Sequence, residues 1–457
     1  MSASMLDINY DEVLDNIRYL LENNQVDFVR NILADLHPAD ISDLVERLDA
    51  EYRSVVLSLL LPETASEVLA EVEDALKEDI LEDLDSRKIA ELVSEMDSDD
   101  ATDLVSELSE DKASEVLAHV EEEYSEDIQE LLHYREDSAG GIMAKEFVAV
   151  QEDVTVEEAI DELRSKREEV EDIYVCYVID RQGKLAGYVH LKELILARPH
   201  TRIKDIMETD VVAISSEMDQ EEVAKLFQKY DLVSAPVVNK EGQMIGRITI
   251  DDIVDVINEE TDEDLARIAG IREEEILEES TFRIARARLP WLIISFFGEM
   301  VSALIMSSFS ATIDQILASA FFIPVVMAMG GSSGTQSSII VVRGLATGEI
   351  NPRDIRRRLF REMRTALVTG FVIAILIFTI VNFWQNDSKF GMVLAGTLII
   401  IIINASVFGA VIPFFFKRMQ VDPALATGPF VATFNDVIGL LIYFTLLSFS
   451  LRYVLPG

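Results

Sequence analysis

Two carboxylic acids stand out in this sequence because of where they fall. Glu299 lies near the middle of the apolar stretch 289–309, and Asp436 near the middle of another, 425–451. A carboxylate at mid-membrane depth is costly enough that it marks a functional position and calls for a partner. No Lys or Arg lies at comparable depth in either stretch. A hydrated cation is the natural counter-charge, because hard divalent ions take oxygen ligands and Mg²⁺ in particular keeps much of its water. One such Asp per subunit, repeated across a symmetry axis, would form a short carboxylate ring. The alternative is a protonated carboxyl that only packs and hydrogen-bonds, and it weighs more for Glu299 than for Asp436. Asp314 and Asp422 fall at the ends of apolar stretches, where water reaches them.

Crossing a bilayer core as a helix takes about 20 apolar residues. Five stretches qualify: 289–309, 316–342, 366–384, 392–416 and 425–451. The run Gly330-Gly331-Ser332-Ser333-Gly334 interrupts the second and predicts an irregular middle there, which is tolerated where backbone faces protein or a water-filled cavity. Basic residues precede the first stretch (Arg283, Arg286, Arg288). They crowd the loop between the second and third (Arg343, Arg353, Arg356, Arg357, Arg358, Arg361, Arg364) and follow the fourth (Lys417, Arg418). With five crossings all three groups lie on one side. The bias of Lys and Arg toward the cytoplasm then predicts a cytoplasmic N-terminus and an outside C-terminus. Residues 1–15 are polar and acidic, so no cleavable leader is expected and targeting falls to the later apolar segments.

The rest of the chain is of another kind. Residues 1–280 carry 75 of the 83 acidic and 25 of the 39 basic side chains, a balance of −50, whereas residues 281–457 come to +6. An acidic half of this density repels phosphates and argues against a nucleic-acid partner. Most of its carboxylates are read as a solvated surface, and a saline habitat would favour the same composition. The lone Cys176 excludes an internal disulfide, and its apolar run 173–179 predicts a buried thiol. The five His residues (His37, His119, His133, His190, His200) show no metal-ligand spacing and no companion nucleophile, so an enzyme is not expected.

Within residues 1–135 the segments 39–48, 65–72, 89–96, 101–108 and 113–120 resemble one another. Each has apolar residues at helical spacing behind a start signal, which predicts short stacked helices. Residues 142–200 and 206–258 form a different repeat. Each opens with Ile-Met (Ile142-Met143, Ile206-Met207), followed by a short strand, an acidic helix, an apolar strand, a Gly turn (Gly183, Gly242), a third strand and a closing helix. This order resembles a tandem of cystathionine-β-synthase (CBS) domains. Such pairs often bind adenine nucleotides through a Ser/Thr-x-x-Asp run. The match here is Thr249-Ile250-Asp251-Asp252, so the resemblance makes Thr249 and Asp252 candidates for a regulatory ATP. A purely structural role for Thr249 stays open. The first repeat has His190-Leu191-Lys192-Glu193 in the corresponding place, which leaves one ordinary nucleotide site at most.

The order of parts is more specific than any one of them. Helical repeats, a CBS pair, an acidic connector and five spans resemble the MgtE family of magnesium channels over essentially the whole chain. So do Arg288-Leu289-Pro290-Trp291, the run 324–336 (PVVMAMGGSSGTQ), Asp422-Pro423-Ala424-Leu425 and the run 429–443 (PFVATFNDVIGLLIY). Ser332 and Gly428 depart from the family pattern, which usually has Asn at both places, and the second departure bears on ion selectivity. The resemblance implies a multidomain protein with a helical-repeat domain (1–135), CBS domains (136–200 and 201–260), a connecting helix (261–288) and a five-span pore domain (289–457). It implies a homodimer in the cytoplasmic membrane that takes up Mg²⁺ along the electrochemical gradient. Asp436 would be the pore ligand, with Ala432 and Gly428 lining it by backbone. A cytosolic Mg²⁺ sensor would comprise Asp99, Asp103, Asp252, Asp255, Glu263 and Asp264. Crowded carboxylates would hold the soluble domains apart until divalent ions bridge them and close the pore. Two alternatives remain open: a carrier coupled to Na⁺ or H⁺ with Glu299 as the coupling group, and a membrane-anchored sensor of nucleotide or Mg²⁺.

Overall fold

The computed structural model describes residues 10–167, 170, 173–269, 281–346, 350, 354–419, 423 and 428–453. The chain divides into two compact units, residues 1–260 and 261–457.

The first unit begins with ten described helices of 8–13 residues, from Tyr10–Glu22 to Glu122–Leu131. Several start where a cap or Pro signal places them. Asp85 accepts the Lys88 amide at the head of Ser86–Val93, and Pro38 and Pro62 stand in the first turn of theirs. None is long enough to bury its apolar face alone. Helices two apart in sequence pack together and close one core that includes Ile41, Leu44, Val68, Leu69, Ile89, Val93 and Val105.

Two three-stranded sheets follow, one per CBS repeat. The strands are β1 (Ala149–Gln151), β2 (Val175–Ile179), β3 (Leu185–His190), β4 (Ile214–Ser215), β5 (Ser234–Val238) and β6 (Met244–Thr249). In each sheet the first strand runs parallel and the third antiparallel to the middle one. Gly183 and Gly242 turn the two hairpins at φ +77° and +79°, backbone that an L side chain rarely adopts. The hairpins meet: Leu185 N donates to Gly242 O, Met244 N to Gly183 O, and the Tyr177 and Ser234 hydroxyls lie 2.7 Å apart. Cys176 is buried in β2 and unbonded to another thiol, and burial pushes it up to about 12. The second repeat closes with a long helix, Ile250–Ala269, so residues 261–269 of the expected connecting helix continue it. Residues 281–288 begin the first membrane helix, and 270–280 lie outside the described residues.

Among the described residues the second unit contains five helices long and apolar enough to cross a membrane: span one (Thr281–Ser308), span two (Ala318–Ala346), span three (Ile355–Gln385), span four (Ser388–Arg418) and span five (Gly428–Tyr453). A short helix, Ser310–Gln315, joins the first two. Span two corrects the expectation of an irregular middle. It is one continuous helix through Gly330–Gly334, because backbone in hydrocarbon is satisfied most simply by its own helix. The small residues serve packing instead. A Cβ on Gly334 would collide with the Asn435 amide of span five, and one on Gly409 of span four with the Gly334 carbonyl.

Candidate functional site

Asp436 faces span two. Its Oδ1 is buried without a hydrogen-bond partner among the described residues, and the position a Cβ would take on Gly331 lies 3.9 Å from that oxygen. A side chain at 331 would therefore fill the space in front of the carboxylate. Ala432 is one turn earlier on the same helix and half-buried, and Gly428 is the first residue of that helix. Asn435 is 3 % exposed, and both its amide oxygen and its nitrogen lack partners among the described residues. Glu299, from span one, interacts electrostatically with Asp436 within hydrogen-bonding reach. Nothing in the sequence joins these two residues. Their adjacency comes from Gly298, where a Cβ would run into the Thr433 methyl, so the two helices close on each other at that level.

A third acid in the membrane unit escaped the sequence reading. Glu362 lies inside span three, which begins earlier than hydropathy alone predicts. It is buried against Arg358 (Oε1 to guanidinium 2.5 Å) and accepts the Ser337 hydroxyl at 2.9 Å. It was hidden because the Arg-rich run 353–364 reads as loop. Its partner four residues away is the signal that could have revealed it.

In the first unit Asp99 and Asp252 come together from the repeat domain and the second CBS domain. Asp99, on helix Ser98–Ser106, is 8 % exposed. Burial, then Asp252, Asp100, Asp97 and Glu146, hold its carboxyl well above the usual range. Asp252 is pushed up to about 6, chiefly by burial, although Thr249 and Arg247 favour its charged form. Thr249 donates to Asp252 twice, from its amide at 2.9 Å and its hydroxyl at 2.7 Å. The two nucleotide candidates are thus already bonded to each other in a cap at the head of helix Ile250–Ala269. Asp255 is raised by burial and Asp251 and lowered by Lys77.

Of the remaining predicted residues, Asp103 is exposed one turn beyond Asp99, and its neighbour Asp100 is the residue that interacts with Asp252 and Asp255. Lys77 also faces Asp100 and Asp255, a cation the sequence reading did not place there. Glu263 pairs with Arg267 on its own helix. The Asp264 side chain lies outside the described residues. Around this cluster the repeat domain is fastened to the CBS pair. The Ser98 amide and hydroxyl donate to Glu146 (3.2 and 2.8 Å), Lys145 pairs with Asp127 and Glu130, and Arg247 lies 3.7 Å from Asp97. Among the described residues no three of His, Cys, Asp and Glu converge at metal-ligand spacing.

Comparison with known proteins gives the same order of parts. Residues 323–446 match the MgtE family, described as divalent cation transporters, residues 36–137 match the MgtE intracellular N domain, and 139–200 and 203–259 match CBS domains. The magnesium transporter MgtE of Thermus thermophilus is 36 % identical over 96 % of this chain and 98 % of its own. That of Bacillus subtilis is 34 % identical over 96 % and 97 %. The crystal structure of the cytosolic domain of the Mg²⁺ channel MgtE in complex with ATP matches 53 % of this chain and 99 % of its own, with 34 % identity and a TM-score of 0.51.

Proposed function

Because the chain belongs to the MgtE family of divalent cation transporters, we propose that it conducts Mg²⁺ down its electrochemical gradient, with Asp436 holding the hydrated ion. The observation that carries this reading is the Asp436 oxygen, buried in a multi-pass membrane unit, unpartnered among the described residues and facing a glycine. A carboxylate so placed stabilises a cation that brings its own water, and Ala432 and Gly428 would add backbone carbonyls along the same helix. A homodimer would double the site. The basic loops favour a cytoplasmic N-terminus in the plasma membrane, with the C-terminus outside.

The soluble half acts as a brake on this path. Asp99, Asp100, Asp252 and Asp255 repel one another across the repeat and CBS domains, and cytosolic Mg²⁺ would offset that repulsion and draw the domains together. Residues 261–288, including Glu263 and Asp264, would carry the change to the pore. Asp103 belongs to the same acidic helix at its exposed side. ATP is a further regulatory ligand in this reading, since a similar cytosolic domain was crystallised with it. The ribose would have to compete for Thr249 and Asp252 with the bonds they make to each other.

The test is Mg²⁺ flux into liposomes at an inside-negative potential. Flux in the wild type and none in Asp436→Ala supports conduction at this carboxylate; equal flux in both moves the pore elsewhere. The position of Glu299 beside Asp436 favours one second reading, a carrier coupled to Na⁺ or H⁺. Current driven by voltage with no gradient of either ion would rule it out.

A further inference from the structure

We propose that Glu299 is a second acidic ligand of the permeating divalent cation, acting with Asp436 of the same chain across the seam between spans one and five. The inference rests on the reading of Asp436 as the pore ligand and adds to it a residue that determines affinity and charge selectivity.

Glu299 is otherwise badly placed. Only 6 % of the apolar core of span one is buried, and the Glu299 side chain is exposed on it among Phe296, Phe297 and Met300. A charged group there, without a partner, is strongly disfavoured in hydrocarbon. The elements packed on span five supply no cation at that depth. Span two carries only Arg343, near its end, and span four carries Lys389, Lys417 and Arg418, also at its ends. The charged group that Glu299 does meet is Asp436, another acid.

The seam is built to bring them together. Gly298 lets span one approach until Thr433 occupies the place of its missing side chain, and this sets the next residue, Glu299, beside Asp436. One turn further along span one, the Ser302 hydroxyl is buried in a side chain only 2 % exposed and has no partner among the described residues. The Asp436 oxygen toward Gly331 is likewise unpartnered. Two carboxylates side by side, with an unpartnered hydroxyl one turn away on span one and no basic residue of these spans at their depth, make this part of the seam rich in oxygen. That chemistry recognises a hydrated divalent cation, whose charge offsets both acids and whose water can bond the remaining oxygens. With the cation bound both acids can ionise, and two carboxylates per chain then discriminate divalent from monovalent ions more strongly than a lone Asp does.

The experiment measures Mg²⁺ uptake by full-length protein in liposomes as a function of Mg²⁺ concentration, together with Na⁺ leak, for wild type, Glu299→Gln, Glu299→Asp and Asp436→Ala. Loss of a carboxylate that acts through metal-bound water should raise the half-saturating Mg²⁺ by roughly tenfold in Glu299→Gln and increase the Na⁺ to Mg²⁺ flux ratio. Glu299→Asp should fall between Gln and wild type. If Asp436→Ala abolishes flux while Glu299→Gln keeps wild-type half-saturation and Na⁺ leak, the pore reading stands and this proposal fails. Should the Gln variant not assemble, Glu299→Asp decides alone: a raised half-saturation supports the second ligand and an unchanged one overturns it. Undiminished flux in Asp436→Ala would remove the premise and the proposal together.

Discussion

Each half of the molecule contains a pair of acids from separate elements set side by side, and the two pairs are treated differently. Asp252 faces Asp99, yet it receives two hydrogen bonds from Thr249 and the influence of Arg247, and Lys77 offsets Asp100 and Asp255 nearby. Asp436 faces Glu299 with no donor on its buried oxygen among the described residues and no basic residue of its own span or span one at that depth. In the soluble pair the protein answers part of the repulsion with its own groups, on the Asp252 side, and leaves Asp99 among acids, so a bound ion would tip a balance, as a sensor requires. In the membrane pair the answer is left to the cargo. A site that kept its own cation would not need the ion that passes.

The sharpest way to break this contrast is to supply the missing charge. Asp436→Lys should abolish Mg²⁺ flux, a fall of at least about 100-fold, since a fixed cation at that depth excludes a mobile one; Mg²⁺ uptake in liposomes reads it. Next in size is the one ion pair buried among the described membrane helices. Glu362→Ala leaves Arg358 buried and uncompensated, and we expect about 3–5 kcal/mol of destabilisation, seen as a lower thermal midpoint of the purified protein.

The soluble pair should respond to pH with a definite sign. Burial raises Asp252 to about 6 and Asp99 well above the ordinary carboxylate range, so the folded state holds protons that the unfolded chain has released. The packing of the repeat domain on the CBS pair is therefore firmest below about pH 4, where both states are protonated. It weakens as pH rises through about 6, by on the order of 1–3 kcal/mol. Trypsin cleavage at Lys88 and Lys112, which flank the Ser98 helix, should accelerate over that window relative to an unfolded peptide substrate at the same pH. Added Mg²⁺ should flatten the change, Asp252→Asn should reduce it, and Asp99→Asn with Asp252→Asn should remove most of it. An identical profile in Asp252→Asn would locate the sensing elsewhere.

The smallest effect is geometric. Gly298→Ala should loosen the seam at Thr433 and lower flux by a few-fold without changing the fold, because the helices part only by about the width of a methyl group. Unaltered uptake in that variant would show that the distance between Glu299 and Asp436 is not what the seam maintains.

Much of this protein is legible in its residues because the signals are short-range. Hydropathy over about 20 residues marks five spans, period and caps mark the repeat helices, and the twin Gly turns at Gly183 and Gly242 mark the hairpins of the CBS pair. Asp436 is visible for the same reason, as a charge in an apolar window. The errors come where a local rule met a packed environment. Three glycines in five residues read as a break in span two, yet in the bilayer the helix continues and the glycines admit Asn435 and span four. The arginines of 353–364 read as loop, yet most of them begin span three, and one of them, Arg358, pairs with Glu362.

What the sequence determined by itself is the inventory: an acidic soluble half, a mildly basic membrane half, and one or two acids that hydrocarbon would not tolerate without purpose. What tertiary structure decided is which acids are neighbours. Asp99 and Asp252 are far apart in sequence, as are Glu299 and Asp436, and at such separations no periodicity relates one side chain to another. Their pairing depends on where helices close, through the fastening of Ser98 to Glu146 in one half and the absence of a side chain at Gly298 in the other.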